Sequence, residues 1–177
     1  MSATLSPPLA PRTIRWTREE YHRLADEGFF RGRRVELVGG EVIEMSPMRE
    51  PHAAGIALTA EALRAAFGPG FYIRTQVPLH LGDDEPEPDV AVVPGSPRDY
   101  ADSPTSALLV VEIAESSFKY DTTTKASLYA RAGIPDYWVL DLERRQLLVF
   151  REPFADDSGR RAYRSQSILN EGETIVP

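Results

Sequence analysis

A mixed α/β fold, a central β-sheet flanked by helices, is what this chain of 177 residues predicts. Three observations carry that expectation. Residues 107–115 form the most apolar run in the chain, reading as a strand buried on both faces, and a helix and a further strand follow it by residue 141. Gly39-Gly40 joins two short runs that alternate or stay apolar, a hairpin signal. Ile56, Leu58, Ala62, Leu63, Ala66 and Phe67 recur at spacings of three and four, the signature of one face of a long helix.

The elements follow in order. Residues 1–14 are expected to be a flexible tail, small and proline-rich with no charge before Arg12, and residues 15–177 a single domain. Thr17-Arg18-Glu19-Glu20 is a capping-box pattern, and Tyr21, Leu24 and Ala25 continue at helical spacing to Gly28. Residues 33–38 and 41–45 are the hairpin strands. Pro51 opens the long helix, and Gly68-Pro69-Gly70 ends it. Residues 71–77 read as a strand, 79–81 as its short continuation past Pro78, and 83–87 as an acidic turn. Residues 88–93 read as another strand, with Pro88 at the start, where a missing N–H is tolerated. Beyond a loop at 94–104 and the apolar strand, Asp121 is expected to cap a helix that reaches about Ala132 and closes at Gly133. Residues 137–141 and 146–150 read as a strand pair, and 162–167 as a ragged last strand. The unit 107–141 should be a right-handed parallel crossover.

Composition narrows the function classes. With 42% hydrophobic and 27% charged residues the chain is globular rather than disordered. It has no cysteine, so a thiolate nucleophile is excluded and metal ligands must be oxygen or histidine. No apolar run approaches the roughly 20 residues of a membrane span, and residues 1–11 do not read as a secretory signal, so a cytoplasmic protein is expected. The net charge of −7 argues against a broad basic surface held on nucleic acid. Its distribution is uneven: residues 83–143 carry thirteen acids against four cations, and residues 1–34 seven arginines against four acids. An acidic middle suits either bound divalent cations or a solvated face.

The candidate chemistry starts from Glu112, a carboxylate inside the apolar strand, on the face of Leu108, Val110 and Ala114. Burying it is costly unless it is paired or bound to a metal. Asp89 has the same character at the head of Val90-Ala91-Val92-Val93. Of the 20 cations 18 are arginine, so Lys125 stands where a compact ammonium is wanted, and only Lys119 shares that status. Glu112 lies about 10 Å back from the strand end. Lys125 lies about 6 Å into the next helix, at a similar height, although an Asp121–Lys125 surface pair is the simpler use of it. Glu36 sits on a hairpin strand, either completing a metal shell or paired with an arginine at the surface. His52 falls near the start of the long helix, where a histidine is more often structural. Tyr137 and Trp138 read as core rather than a base-stacking surface, and Ser116-Ser117 has no histidine placed to make it a nucleophile.

Pro88-Asp89, Glu112 and a following lysine resemble the PD-(D/E)xK nuclease superfamily. A wider ordered set resembles the Uma-type putative restriction endonucleases, formerly a domain of unknown function. It comprises Val35-Glu36-Leu37-Val38-Gly39-Gly40-Glu41, Met45-Ser46-Pro47, His52, Pro88-Asp89-Val90-Ala91-Val92, Val111-Glu112-Ile113, Asp121, Lys125, Tyr129, and residues 133–141 from Gly133-Ile134-Pro135 to Asp141. The resemblance implies a restriction-endonuclease-like core (helix, three strands, helix, strand) and DNA cleavage dependent on Mg²⁺ or Mn²⁺. It makes Asp89 and Glu112 metal carboxylates, with Glu36 as the first acidic motif and third ligand. The superfamily's lysine, two residues after Glu112, is Ala114 here, and the family resemblance implies Lys125 in its place. The partner implied is DNA, bound weakly and salt-sensitively by Arg12, Arg15, Arg18, Arg31, Arg33 and Arg34 at one end and Arg160, Arg161 and Arg164 at the other. A homodimer would allow both strands to be cut. The alternative is a nuclease-like fold without turnover that serves as a nucleic-acid-binding or assembly module; a glycosidase-like use of paired acids would survive chelation.

Overall fold

The structure is a computed structural model that describes residues 12–156 and 161–177. Most of the expected tail and Arg160 lie outside the described residues. Helix α1 (Arg18–Asp26) begins at Thr17, whose hydroxyl and backbone N–H complete the capping box with Glu20. Strands β1 (Val35–Val38) and β2 (Glu41–Glu44) pair antiparallel across Gly39-Gly40. Both glycines have positive φ, 61° and 75°, as a tight turn with the twist of its strands demands. Helix α2 (Glu50–Phe67) carries Pro51 in its first turn, where a missing N–H costs nothing.

Then come β3 (Phe71–Thr75), β4 (Val90–Pro94), a 3₁₀ turn (Pro97–Asp99) and β5 (Leu109–Ala114). A helical segment follows in three parts: α3 (Phe118–Tyr120), a π-helical turn (Asp121–Lys125) and α4 (Ala126–Arg131). Strands β6 (Asp136–Asp141), β7 (Gln146–Ala155) and β8 (Arg161–Asn170) complete the chain. The last six strands, β3 to β8, form one mixed sheet in sequence order, antiparallel throughout except for the parallel pair β5–β6.

Alternation along β5 sends its side chains into two cores. Leu109, Val111 and Ile113 meet Ile56, Ala60 and Leu63 of α2 on one face. Val110 and Ala114 meet Leu128 and Tyr129 of α4 on the other, with Val38 of the hairpin. All six residues of β5 are buried, as the apolar run demands. The approach of α2 is close: a Cβ on Gly55 would stand 2.9 Å from Ile113 Cγ2, so only glycine lets the helix lie this near the strand.

Three expectations are corrected. Asp121 is not a helix cap. The helix starts three residues earlier, at Phe118, and Asp121 is buried within it, its carboxylate accepting from Ser117 Oγ at 2.5 Å. Residues 79–81 do not extend β3. Pro78, Pro86 and Pro88 have no N–H to give a ladder, so residues 76–89 fold back as a loop that pairs with β1 through Leu37 and Glu85 (2.8 and 3.2 Å). β4 begins at Val90 rather than Pro88, because the N–H of Asp89 is turned to the side chain of Glu112.

The β6–β7 turn hangs on Asp141. Its Oδ1 accepts the N–H groups of Glu143 and Arg144 at 3.0 Å, and its Oδ2 the Arg144 guanidinium at 2.8 Å. Burial works to raise its pKa, but these donors outweigh burial and hold it below the ordinary carboxylate range. The resulting stability is full above the unfolded value, about 3.9, and is lost as pH falls through the lower folded value. Asp141→Ala is therefore expected to cost about 2–3 kcal/mol in urea unfolding at pH 7. The gap from wild type should shrink as the pH is lowered below that unfolded value.

Candidate functional site

Asp89 and Glu112 meet where the sheet opens. The β4–β5 register pairs Val90 with Val111, so one step further Asp89 stands opposite Glu112. Alternation puts Asp89 on the face of Ala91 and Val93, the same face that Glu112 shares with Val110 and Ala114. The two residues are laced together: Asp89 N–H donates to Glu112 Oε2 at 3.3 Å, and Ile113 N–H donates to Asp89 Oδ2 at 2.8 Å. Both side chains are buried.

The helical segment brings Lys125 over them. Counted from Phe118 it lies about 10 Å along the helix, deeper than a start at Asp121 would put it and level with Glu112. Its Nζ is 2.9 Å from Glu112 Oε1 and 3.1 Å from Glu36 Oε2. The surface pair with Asp121 does not form; Lys125 is only 4% exposed. The π turn carries both Asp121 and Lys125 on its buried side, and such local widening of a helix is often found at functional sites. Glu36 arrives from β1, its Oε2 also accepting the Glu87 N–H at 3.1 Å. At 2% exposure it is no surface partner of an arginine. What seats it is the docking of the hairpin on the 76–89 loop, with Gly39 N–H on Asp84 Oδ1 at 2.5 Å as a further tie.

Two further contacts complete the arrangement. His52, in the first turn of α2, stands with Nε2 3.0 Å from Asp89 Oδ1, and that hydrogen bond raises its pKa above the ordinary value. Tyr129, one turn beyond Lys125, donates its hydroxyl to Glu112 Oε1 at 2.8 Å. Charge alone does not single out Tyr129, yet its spacing of four from Lys125 puts both on one helix face. Tyr137 and Trp138 are core, as expected. The Tyr137 hydroxyl donates to the Asp121 carbonyl at 3.0 Å, and Trp138 packs on the α2 side. Ser117 serves Asp121, donating its hydroxyl to that carboxylate.

These groups open into a cleft of about 600 Å³ lined by Glu36, His52, Asp89, Glu112, Asp121 and Lys125, among others. Four carboxylates face one ammonium and one imidazole, an excess of buried negative charge. Burial pushes Asp121 up to about 6 against the pull of Lys125 and Ser117. Burial likewise pushes Glu112 upward, opposed by Lys125 and reinforced by Asp89, Asp121 and Glu36. Burial works against the charge on Lys125, but Glu112, Glu36 and Asp121 outweigh it and hold the ammonium firmly protonated.

As hard oxygen donors the acids suit Mg²⁺ or Mn²⁺. A carboxylate offers about four lone-pair sites, so Asp89, with two taken, and Glu112, with three, retain room for a cation. At the rim the expected arginines fare unevenly. Of the N-terminal six only Arg34, paired with Glu87, lines the cleft, joined there by Arg49, which pairs with Glu115 at 3.8 Å and lies outside both arginine-rich ends. Arg15, Arg18 and Arg33 are engaged with Glu41, the Gly82 carbonyl and Glu44.

A family model described as Uma2, putative restriction endonuclease, matches residues 18–177. No curated protein matches the sequence. Among solved structures, the chain is similar to the crystal structure of a putative nuclease belonging to DUF820 from Anabaena variabilis ATCC 29413. The TM-score is 0.68 at 16% identity, over 91% of this chain and 88% of that one. That likeness shows a shared fold, the mixed sheet flanked by helices. No helix among the described residues is long and apolar enough to cross a membrane.

Proposed function

The chain belongs to the Uma2 family of putative restriction endonucleases, and on that premise we propose that it is a divalent-metal-dependent endonuclease hydrolysing DNA phosphodiester bonds in this cleft. The observation that supports the reading is that Glu112 and Glu36, from two different strands, share the buried ammonium of Lys125 while Asp89 is hydrogen-bonded beside Glu112 through its backbone N–H. Asp89 and Glu112 would hold Mg²⁺ or Mn²⁺, with Glu36 as the third acid. A divalent ion bound there supplies Lewis-acid polarisation of the phosphoryl oxygen and a bound water of lowered pKa.

The protein's own groups do the rest. Lys125 and Tyr129 fix the orientation of Glu112, and the ammonium offsets negative charge that develops on the phosphoryl group. Lys125 in this reading does the work of the superfamily lysine whose usual position is Ala114. His52 orients Asp89 from the opposite side. Arg34 and Arg49 at the rim are the cations nearest to a bound phosphate backbone, but they are paired with Glu87 and Glu115 and must exchange those partners for it, so binding is weak and falls as salt rises. The proposed site acts on one strand at a time, so a double-strand break calls for two copies or two successive nicks.

Nicking of supercoiled plasmid tests this. Wild type is expected to nick with Mg²⁺ or Mn²⁺, to stop on chelation and to resume on adding metal back, while Glu112→Gln stays at background. Equal cleavage by wild type and Glu112→Gln, or cleavage that survives EDTA, overturns the reading. Tight DNA binding with no cleavage at any metal concentration would make the fold a binding module.

A further inference from the structure

Outside the cleft, three groups that ligate metals converge on the far side of the hairpin's anchoring loop. Among the described residues, His22, His80 and Glu85 are the one set of three or more histidines and acids whose ligand atoms all lie within 4.8 Å of one another. Both imidazoles aim Nε2 at the same carboxylate oxygen. His22 stands 2.7 Å and His80 3.2 Å from Glu85 Oε2. They come from two distant parts of the chain, His22 from α1 and the other two from the 76–89 loop.

We infer that His22, His80 and Glu85 form a second metal site, one for zinc or a similar late transition ion, that ties α1 to the loop seating the active-site hairpin. The donor set decides the class of ion. Two imidazole nitrogens and one carboxylate oxygen match the three-ligand zinc arrangement and are poor ligands for Mg²⁺, whereas the cleft's acids offer only oxygen. The geometry is close to what is needed. Zinc–nitrogen and zinc–oxygen bonds of about 2.0–2.2 Å hold tetrahedral ligands about 3.3 Å apart, so the metal enters by opening the 2.7 Å His22 contact by about half an ångström while the 3.2 Å His80 contact hardly changes. Burial is graded as such a site requires. Glu85 is 7% and His80 18% exposed at the side chain, whereas His22 is 51% exposed, leaving the fourth position to water. Glu85 itself exchanges backbone hydrogen bonds with Leu37, next to Glu36, so an ion here would stiffen the strand that carries the cleft's third acid.

The test uses the whole chain stripped of metal and titrated calorimetrically with Zn²⁺ in excess Mg²⁺. Wild type is expected to take up one equivalent of zinc more than His22→Ala or His80→Ala. The variants' residual affinity at this site should be lower by more than about 100-fold, above what losing an outer-shell partner of a metal costs. Zinc should raise the melting temperature of wild type and leave that of His22→Ala unchanged. His80 is packed inside, so His22→Ala, at the surface, decides the matter if His80→Ala fails to fold. Equal zinc uptake by wild type and His22→Ala, or no uptake by wild type, overturns the site and leaves a hydrogen-bonded triad. None of these outcomes depends on DNA cleavage, so this inference and the nuclease reading stand or fall separately.

Discussion

Lys125→Met is expected to lower the free energy of unfolding by about 3–5 kcal/mol and to reduce metal-dependent cleavage to background. The ammonium is the shared partner of two buried carboxylates, at 2.9 Å from Glu112 and 3.1 Å from Glu36. Methionine keeps the length of the stem and removes the charge. Two acids that are 2% and 3% exposed are then left to face each other, and each must take up a proton or find water. Adding Glu112→Gln removes one of the stranded charges. The double variant should therefore regain part of the lost stability without regaining any cleavage. Urea unfolding at pH 7 beside the nicking assay separates the two effects. A single variant that unfolds within about 1 kcal/mol of wild type and still cleaves would show that the ammonium neither pairs with these acids nor serves the reaction.

Asp89→Asn should leave the fold nearly intact and lower cleavage by more than about 100-fold at a fixed metal concentration, beyond the cost of losing an outer-shell contact. Asparagine still offers an oxygen to the Ile113 N–H, and the backbone N–H that serves Glu112 is untouched. What is lost is the charge and, in the proposed reading, the hold on the cation. Residual activity should be recovered in part at higher Mn²⁺, because mass action compensates for a weaker site. Wild-type rates with unchanged metal dependence would remove Asp89 from the role proposed for it.

The path from sequence to fold was shortest where a periodic pattern met a single chemical demand. The apolar run of β5, the capping box of α1 and the Gly39-Gly40 turn each prescribe a local geometry that tertiary contacts had no reason to override. The departures cluster in residues 76–89 and 118–125. In the first, three prolines break the ladder and the loop seeks partners in the hairpin. In the second, Asp121 has the chemistry of a cap, but the helix gains more by starting at Phe118 and burying Asp121 beside Ser117 and Tyr137. Among the site residues, Glu112 and Asp89 stand out because a carboxylate in an apolar strand needs an explanation. Tyr129 carries no charge and gives no such signal.

Residue pattern determined which side chains share a face, since a period of two or of 3.6 is a property of the backbone itself. It put Glu112 with Val110 and Ala114, set Asp89 at the head of a strand, and ruled out thiolate chemistry. Docking decided everything that joins separate elements: Glu36 reaching Lys125 from the hairpin, His52 meeting Asp89 from α2, and His22 converging with His80 and Glu85 across about sixty residues of chain. Such contacts have no local period. They arise only when buried polar groups, once the cores have packed, must find partners among whatever the neighbouring elements present.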